Sequence, residues 1–304
     1  MALLSFILGL ALTTSVTACP GHTNHQVKAK RAESTVPESN VTVPSPAEWA
    51  YDESYDWGML SPDYELCQTG TQQSPISLST EIHGLSSKHR PTFNYGANTT
   101  GTLRNWGYGP AFTLDEPLDG DYSSNPAMSY DNETVYLVGW HIHAPADHIV
   151  DGVRSHAELH FVHVDAEGHE KAVVGFRIDP APTKKSSLAS SSAAGSASLN
   201  VDISDLVQDA FFAQLPETFH RWDDTESEES MALDLGDALE AVARLDTFFT
   251  YEGSLTSPPC HEGIRWFIAA RVLEVSIPQM QAILAASTYS ARFEQMIWEH
   301  HINE

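Results

Sequence analysis

Basic residues are scarce in this chain: 16 Lys and Arg stand against 41 Asp and Glu in 304 residues, a formal net charge of -25 at pH 7. A surface this acidic repels nucleic acid and anionic membrane and favours solubility. It offers no general attraction to an anionic substrate, so an anion must be served by a local field instead. Long apolar runs are missing as well. The one run, Leu3 to Leu12, is too short to span a bilayer. The polar end from His300 to Glu304 lacks the hydrophobic tail of a lipid-anchor signal.

Cysteine is the third scarcity, with only Cys19, Cys67 and Cys260. The run Leu3 to Leu12, followed by Val16-Thr17-Ala18, reads as a secretory signal over residues 1–18. Acceptor sites for N-linked glycans at Asn40, Asn98 and Asn132 fit a eukaryotic secretory route and an extracellular location. Residues 19–46 then read as a propeptide and flexible lead-in, with Lys30-Arg31 as a dibasic processing site. Cleavage there removes Cys19 and leaves Cys67 and Cys260, an even pair that predicts a disulfide in an oxidising compartment. The remainder, 47–304, reads as one domain.

Histidine, by contrast, is concentrated. His141, His143, His148, His156, His160 and His163 all fall between Val138 and Val164. Neutral imidazole is the commonest side-chain metal ligand, so the cluster calls for a geometric test. If Val135–Ile142 and Ala157–Val164 are antiparallel strands joined through a turn at Gly152, His141 and His143 share a face with only His160 of the second strand. Three imidazoles with a fourth position left to water form the catalytic, not the structural, zinc arrangement. A metalloprotease helix fails as an alternative, because Ala157 stands directly after His156 where that motif needs Glu. His163, on the opposite face, and His156, near the turn, are expected to be ordinary hydrogen-bonded residues.

From about Trp49 to Gln295 the chain resembles the alpha-class carbonic anhydrases. The resemblance is carried by Trp49-Ala50-Tyr51, Cys67 with Gly70, Gln73-Ser74-Pro75-Ile76, Asn105 with Gly107, the histidine stretch, Lys171-Ala172-Val173-Val174-Gly175, and Tyr251-Glu252-Gly253-Ser254-Leu255-Thr256-Ser257-Pro258-Pro259-Cys260 with Glu262 and Trp266. It implies a mainly β (α+β) fold, a single domain with a large twisted, mostly antiparallel central sheet and short peripheral helices. It implies a secreted, eukaryotic zinc lyase of the fungal type. Such an enzyme hydrates carbon dioxide reversibly to bicarbonate and a proton by attack of a zinc-bound hydroxide, with weak esterase activity besides.

By the same resemblance, zinc falls to His141, His143 and His160. Thr256 orients the attacking oxygen, and Asp147 accepts the threonine proton, one methylene shorter than the family's glutamate. Val162, Val173, Leu255, Ser257 and Trp266 surround the substrate, while Glu158, His148, Tyr251, Tyr51 and Asn105 are supporting positions. Two further departures stand beside Asp147. Gly139 replaces a glutamine found in many members, which leaves His141 to use water or backbone in place of that side-chain partner. Tyr108 replaces the histidine that relays protons in many members, and a phenol titrating at about 10 is a poor relay where imidazole titrates at about 6.5. These departures leave a low-activity or metal-free binding module on the same scaffold as the alternative.

Elsewhere, Leu103–Leu114 reads as one strand and Ala172–Ile178 as another. A helix with Ile203, Leu206, Val207, Ala210, Phe211 and Leu215 on one stripe is expected, capped near Asp202 and stopped by Pro216. An acidic turn over Trp222–Glu229 and a short helix through Leu235, Leu239 and Val242 follow it. A third helix opens with Ser276 as cap and Pro278 in the first turn. Thr183–Ser198 reads as a low-complexity surface loop, and Trp49, Tyr51, Tyr55 and Trp57 as an aromatic cluster on one core edge.

Overall fold

Both histidine-bearing segments are strands at the centre of a sheet. The computed structural model describes residues 49–86, 88–182 and 209–304. The expected signal segment, the expected lead-in with Asn40, the expected loop over 183–198 and the first residues of the expected 203–215 helix lie outside the described residues. In chain order the main strands are β1 (Ala97–Asn105), β2 (Pro110–Leu114), β3 (Glu133–His143), β4 (Ala157–Val164), β5 (Glu170–Pro180), β6 (Glu228–Asp234), β7 (Phe248–Ser254) and β8 (Glu262–Ala269). They stand side by side as β6-β1-β2-β3-β4-β5-β8-β7 in an eleven-stranded sheet. Its three short members are Thr92–Asn94, Ala127–Tyr130 and Leu273–Val275. Pairing is antiparallel except where β5 meets β8 and Leu273–Val275. The mainly β, mostly antiparallel single domain is therefore what the chain forms.

Strand alternation then sorts the side chains. All eight positions of β4 are buried, so both of its faces are covered and each polar residue on it needs a partner. On one face Trp140, Ile142, Leu159, Phe161 and Phe176 enter the main core with Phe211, Leu239 and Ile283. On the other, Val162 and Val173 join Ile76, Tyr251, Leu255, Ile264 and Trp266 in a second core. Fully burying one side chain of the Leu or Phe class contributes about 1.5 to 3 kcal/mol, so this two-sided burial is the main reason β3, β4 and β5 hold their register. A third cluster, Tyr51, Trp57, Tyr64, Cys67 and Cys260, packs with Trp49, Trp106 and Tyr108 at the end of the sheet.

Cys67 and Cys260 form a disulfide across 193 positions of sequence, tying the segment before Gln73 to the loop that carries Thr256. Chain-entropy reasoning assigns such a link about 2 to 5 kcal/mol. Among the described residues, no helix is long and apolar enough to cross a membrane.

Several local expectations change. Leu103–Leu114 is a hairpin of β1 and β2, not one strand. The Asn105 side-chain oxygen accepts the Gly107 N–H at 2.9 Å, and Gly107 takes φ +95°, a conformation glycine adopts at little cost. Glu228 and Glu229 do not end an acidic turn. They begin β6, which pairs with β1 at the end of the strand order, where an exposed edge tolerates charge. The described part of the first helix is only Ala210–Ala213, capped by Asp209, whose carboxylate accepts the Phe212 N–H at 3.0 Å. Tyr55 leaves the aromatic cluster and stacks on Phe293 at 3.6 Å, largely exposed. The short helices Gly236–Ala241 and Ile277–Ala286 are present. The second opens with a reciprocal Ser276–Gln279 capping box.

Candidate metal centre

The register of β3 and β4 sets His141 directly opposite His160 and His143 opposite Glu158. Because the side-chain period of a strand is two, all four project from the same face. The three imidazoles each offer a nitrogen, and these atoms lie within 4.8 Å of one another. Nε2 of His141 and Nε2 of His143 are 3.0 Å apart. All three rings are buried.

Burial, then the neighbouring imidazoles His143 and His160, pushes the His141 pKa well below its usual value. His143 is lowered as well, again chiefly by burial. These two rings are therefore neutral at pH 7, as a ligand nitrogen must be.

The nitrogens that face away from the convergence are accounted for with one exception. His143 Nδ1 pairs with the Ser290 carbonyl at 2.6 Å. His160 Nε2 pairs with a Glu158 oxygen at 3.0 Å, which leaves Nδ1 of His160 for the centre. His141 Nδ1 is buried with no hydrogen-bond partner among the described residues. Such outward bonds fix which nitrogen of an imidazole is free to ligate.

Glu158 is the hub of this support. Besides His160 it accepts the His148 backbone N–H at 2.8 Å and pairs with His148 Nδ1 at 2.7 Å. Burial alone would raise its pKa, yet His148 and His160 hold the carboxyl well below the usual range. His148 Nε2 in turn pairs with the Tyr251 hydroxyl at 2.7 Å, and that hydroxyl donates to Ser74 Oγ at 2.9 Å. The donor set of neutral imidazoles with one buried carboxylate behind it suits zinc, whose borderline character favours nitrogen ligands in a tetrahedral site.

The other expected site residues fall around this centre. Val162, Val173, Leu255 and Trp266 form one buried apolar surface, with the Trp266 ring edge-on to His160 at 5.0 Å. Thr256 and Ser257 are buried on the loop after β7. Asp147 is buried, and one of its oxygens accepts the Arg292 backbone N–H at 2.8 Å. Its other oxygen lies 3.5 Å from His143 Nδ1 and has no hydrogen-bond partner among the described residues, so the expected Thr256–Asp147 bond is not made. Tyr51 is buried edge-on to His143 at 5.6 Å.

Asn105 does not reach the histidines. Its side chain closes the β1–β2 turn and donates to the carbonyls of His220 and Ala286, so it shapes the turn and does not support a ligand. Tyr108 stacks on Trp49 at 5.7 Å and donates its hydroxyl to the Trp49 carbonyl at 3.2 Å. Burial, with Asp52 nearby, raises its pKa to about 12. His163 lies on the opposite face and pairs with Tyr95 at 2.6 Å, while burial lowers it to about 3. His156 is exposed and pairs with Asp179 at 2.6 Å. Asn98 and Asn132 are exposed.

Three residues beside the centre escaped the sequence reading, the first being Ser290, whose carbonyl pairs with His143. Trp106 packs on both His141 and His143. Arg292 is fully buried under the Thr256 loop. The only signal for Arg292 is that it is the sole Lys or Arg after Arg271.

A family model of eukaryotic-type carbonic anhydrases matches residues 52–301. The carbonic anhydrase of Pectobacterium atrosepticum is 29% identical over 238 residues, covering 76% of this chain and 80% of its relative. Alpha carbonic anhydrase 3 of Arabidopsis thaliana is 28% identical over 232 residues, covering 76% and 71%. The solved alpha-carbonic anhydrase of Thermovibrio ammonificans in complex with sulfanilamide shares the fold, with a TM-score of 0.64 at 23% identity over 85% of this chain and 99% of that one. So does the fungal alpha carbonic anhydrase of Aspergillus oryzae, with a TM-score of 0.59 at 23% identity over 80% and 89%. With the match spanning nearly all of the described chain and the strand register converging its three histidines, the protein belongs to the eukaryotic-type carbonic anhydrase family.

Proposed function

We propose that the chain hydrates carbon dioxide reversibly to bicarbonate and a proton at a zinc ion held by His141, His143 and His160. The observation that carries this reading is the convergence of three buried imidazole nitrogens within 4.8 Å. A zinc ion supplies Lewis acidity that brings the pKa of water to about 7, a magnitude known from carbonic anhydrases themselves. Ser290 and Glu158 hold two of the ligand rings in the ligating orientation. Val162, Val173, Leu255 and Trp266 give carbon dioxide an apolar wall and keep competing water off it, with Ser257 beside it. The Thr256 hydroxyl orients the reacting oxygen without a bond to Asp147 behind it among the described residues.

Proton export is the weak step. With Tyr108 at about 12 and its hydroxyl committed to Trp49, it neither accepts nor passes a proton at neutral pH. Tyr108→His is expected to raise turnover in weakly buffered solution by about 100-fold, the lower end of general acid–base gains. Stopped-flow hydration at low and high buffer checks it. An unchanged buffer-limited rate sinks the relay argument.

The signal segment, the exposed Asn98 and Asn132 and the disulfide support an extracellular location. The deciding experiment is metal analysis of the purified protein with carbon dioxide hydration measured before chelation, after it, and after zinc is returned. Hydrolysis of an activated ester is a second readout of the same site. Stoichiometric zinc with activity that follows it supports the proposal, whereas a zinc-free protein untouched by chelator supports the binding-module reading.

A further inference from the structure

We infer that Trp106 is a positioning residue for the metal centre, orienting His141 by ring packing where a hydrogen bond is missing. The inference rests on the zinc reading above.

A ligating imidazole needs its ring turned so that one nitrogen faces the ion, and rotation about the terminal side-chain torsion is broad and roughly two-fold. An acceptor for the far nitrogen normally settles the choice. His143 and His160 have such acceptors; His141 has none among the described residues. Nor can the neighbouring strand position supply one. Gly139 lies two residues earlier on the same face, opposite Thr113 of β2, and a Cβ there would run into the Phe112 carbonyl oxygen. The close approach of β2 thus excludes any side chain at 139.

Trp106 occupies the compensating place. Its ring meets His141 at 5.1 Å and 62°, and His143 at 5.3 Å and 65°, both edge-to-face. Its own orientation is set, because the indole N–H donates to the carbonyl of Ile142, the residue between the two ligands, at 3.2 Å. Tyr51 and Tyr108 also pack on it, at 6.1 and 5.1 Å. One ring therefore braces two ligands from a position whose backbone N–H is bonded to Gly109 across the β1–β2 turn. Edge-to-face geometry restricts rotation of the partner ring as well as its translation.

The test compares the wild-type chain with Trp106→Ala, Trp106→Leu, Trp106→Phe and Trp49→Ala. Zinc affinity is measured by chelator competition, and ligand geometry by the visible spectrum of the cobalt-substituted proteins. Trp106→Leu keeps apolar bulk without a ring and serves where the alanine variant does not fold. Trp49→Ala loosens the same aromatic cluster without touching a histidine, since Trp49 packs on Tyr51, Trp57 and Tyr108. Loss of the ring is expected to weaken zinc binding by about 10- to 100-fold, the usual cost of removing a supporting group, and to alter the cobalt bands. Trp106→Phe should recover both, and Trp49→Ala should change neither.

Wild-type affinity and spectrum in Trp106→Leu, or an equal loss in Trp49→Ala, overturn the inference while leaving the metal reading intact. A wild-type chain that takes up no zinc removes the metal reading itself, and the inference with it.

Discussion

Replacing His160 with alanine is expected to strip zinc from this protein and take the hydration activity with it. The loss should be at least about 10³-fold in metal affinity, beyond the 10- to 100-fold that supporting residues cost, because a three-ligand site has no spare donor. The fold should survive. Glu158 keeps the His148 backbone N–H and imidazole as partners after His160 is gone, so no buried carboxylate is left bare. His163→Ala is the matched control, three residues along the same strand but on the other face, paired to Tyr95. It should lower stability and leave zinc binding unchanged. Chelator competition and stopped-flow hydration on both variants decide the matter. A His160→Ala protein that still binds zinc as the parent does would falsify the ligand assignment.

Arg292→Ala should produce the largest loss of stability. The guanidinium donates to the Ser74 carbonyl at 2.7 Å, the Gln73 side-chain oxygen at 2.8 Å and the Cys67 carbonyl at 3.0 Å. It also sits over the Trp57 ring at 5.4 Å. Burial lowers its pKa to about 10, with Asp147 opposing the shift, so the group is still charged at neutral pH.

Removing it leaves at least three acceptors without their donor in a dry site. Breaking such a buried charged network costs about 3 to 5 kcal/mol. For a domain of this size that corresponds to a fall of roughly 10 °C in melting temperature. Arg292→Lys should recover only part of the loss, since an ammonium cannot reproduce the planar fork. Urea denaturation with the disulfide intact measures both, and an alanine variant within 1 kcal/mol of the parent, roughly the worth of one net hydrogen bond, shows that the network carries little.

Much of this was legible from residue types alone, because a strand converts sequence parity into direction. His141, His143 and His160 share a face, and His163 does not, for the reason the alternation of β3 and β4 gives. What stayed hidden depends on contacts between distant segments. Ser290 meets His143 across 147 positions and Arg292 meets Gln73 across 219, distances at which no local pattern operates. β6 was missed because an edge strand with charged residues shows no apolar alternation. The turn at Gly107 was missed because Asn105 and Gly107 were read as residues borne within one strand, although Leu103 and Phe112, an odd number of positions apart, already break its alternation. Trp106 was passed over between Asn105 and Gly107, since nothing in its type separates a brace for two ligands from ordinary core.

The wide spacing of these partners also orders events during synthesis. His143 leaves the ribosome 147 residues ahead of the carbonyl that turns its ring, and Asp147 waits 145 residues for the backbone N–H that anchors it. Of the three proposed ligands, His143 alone is displayed long before its orienting partner is made, since Glu158 lies two residues from His160 and Trp106 precedes His141. A chain cut short of Ser290 would carry the three imidazoles without the carbonyl that turns His143 or the N–H that anchors Asp147.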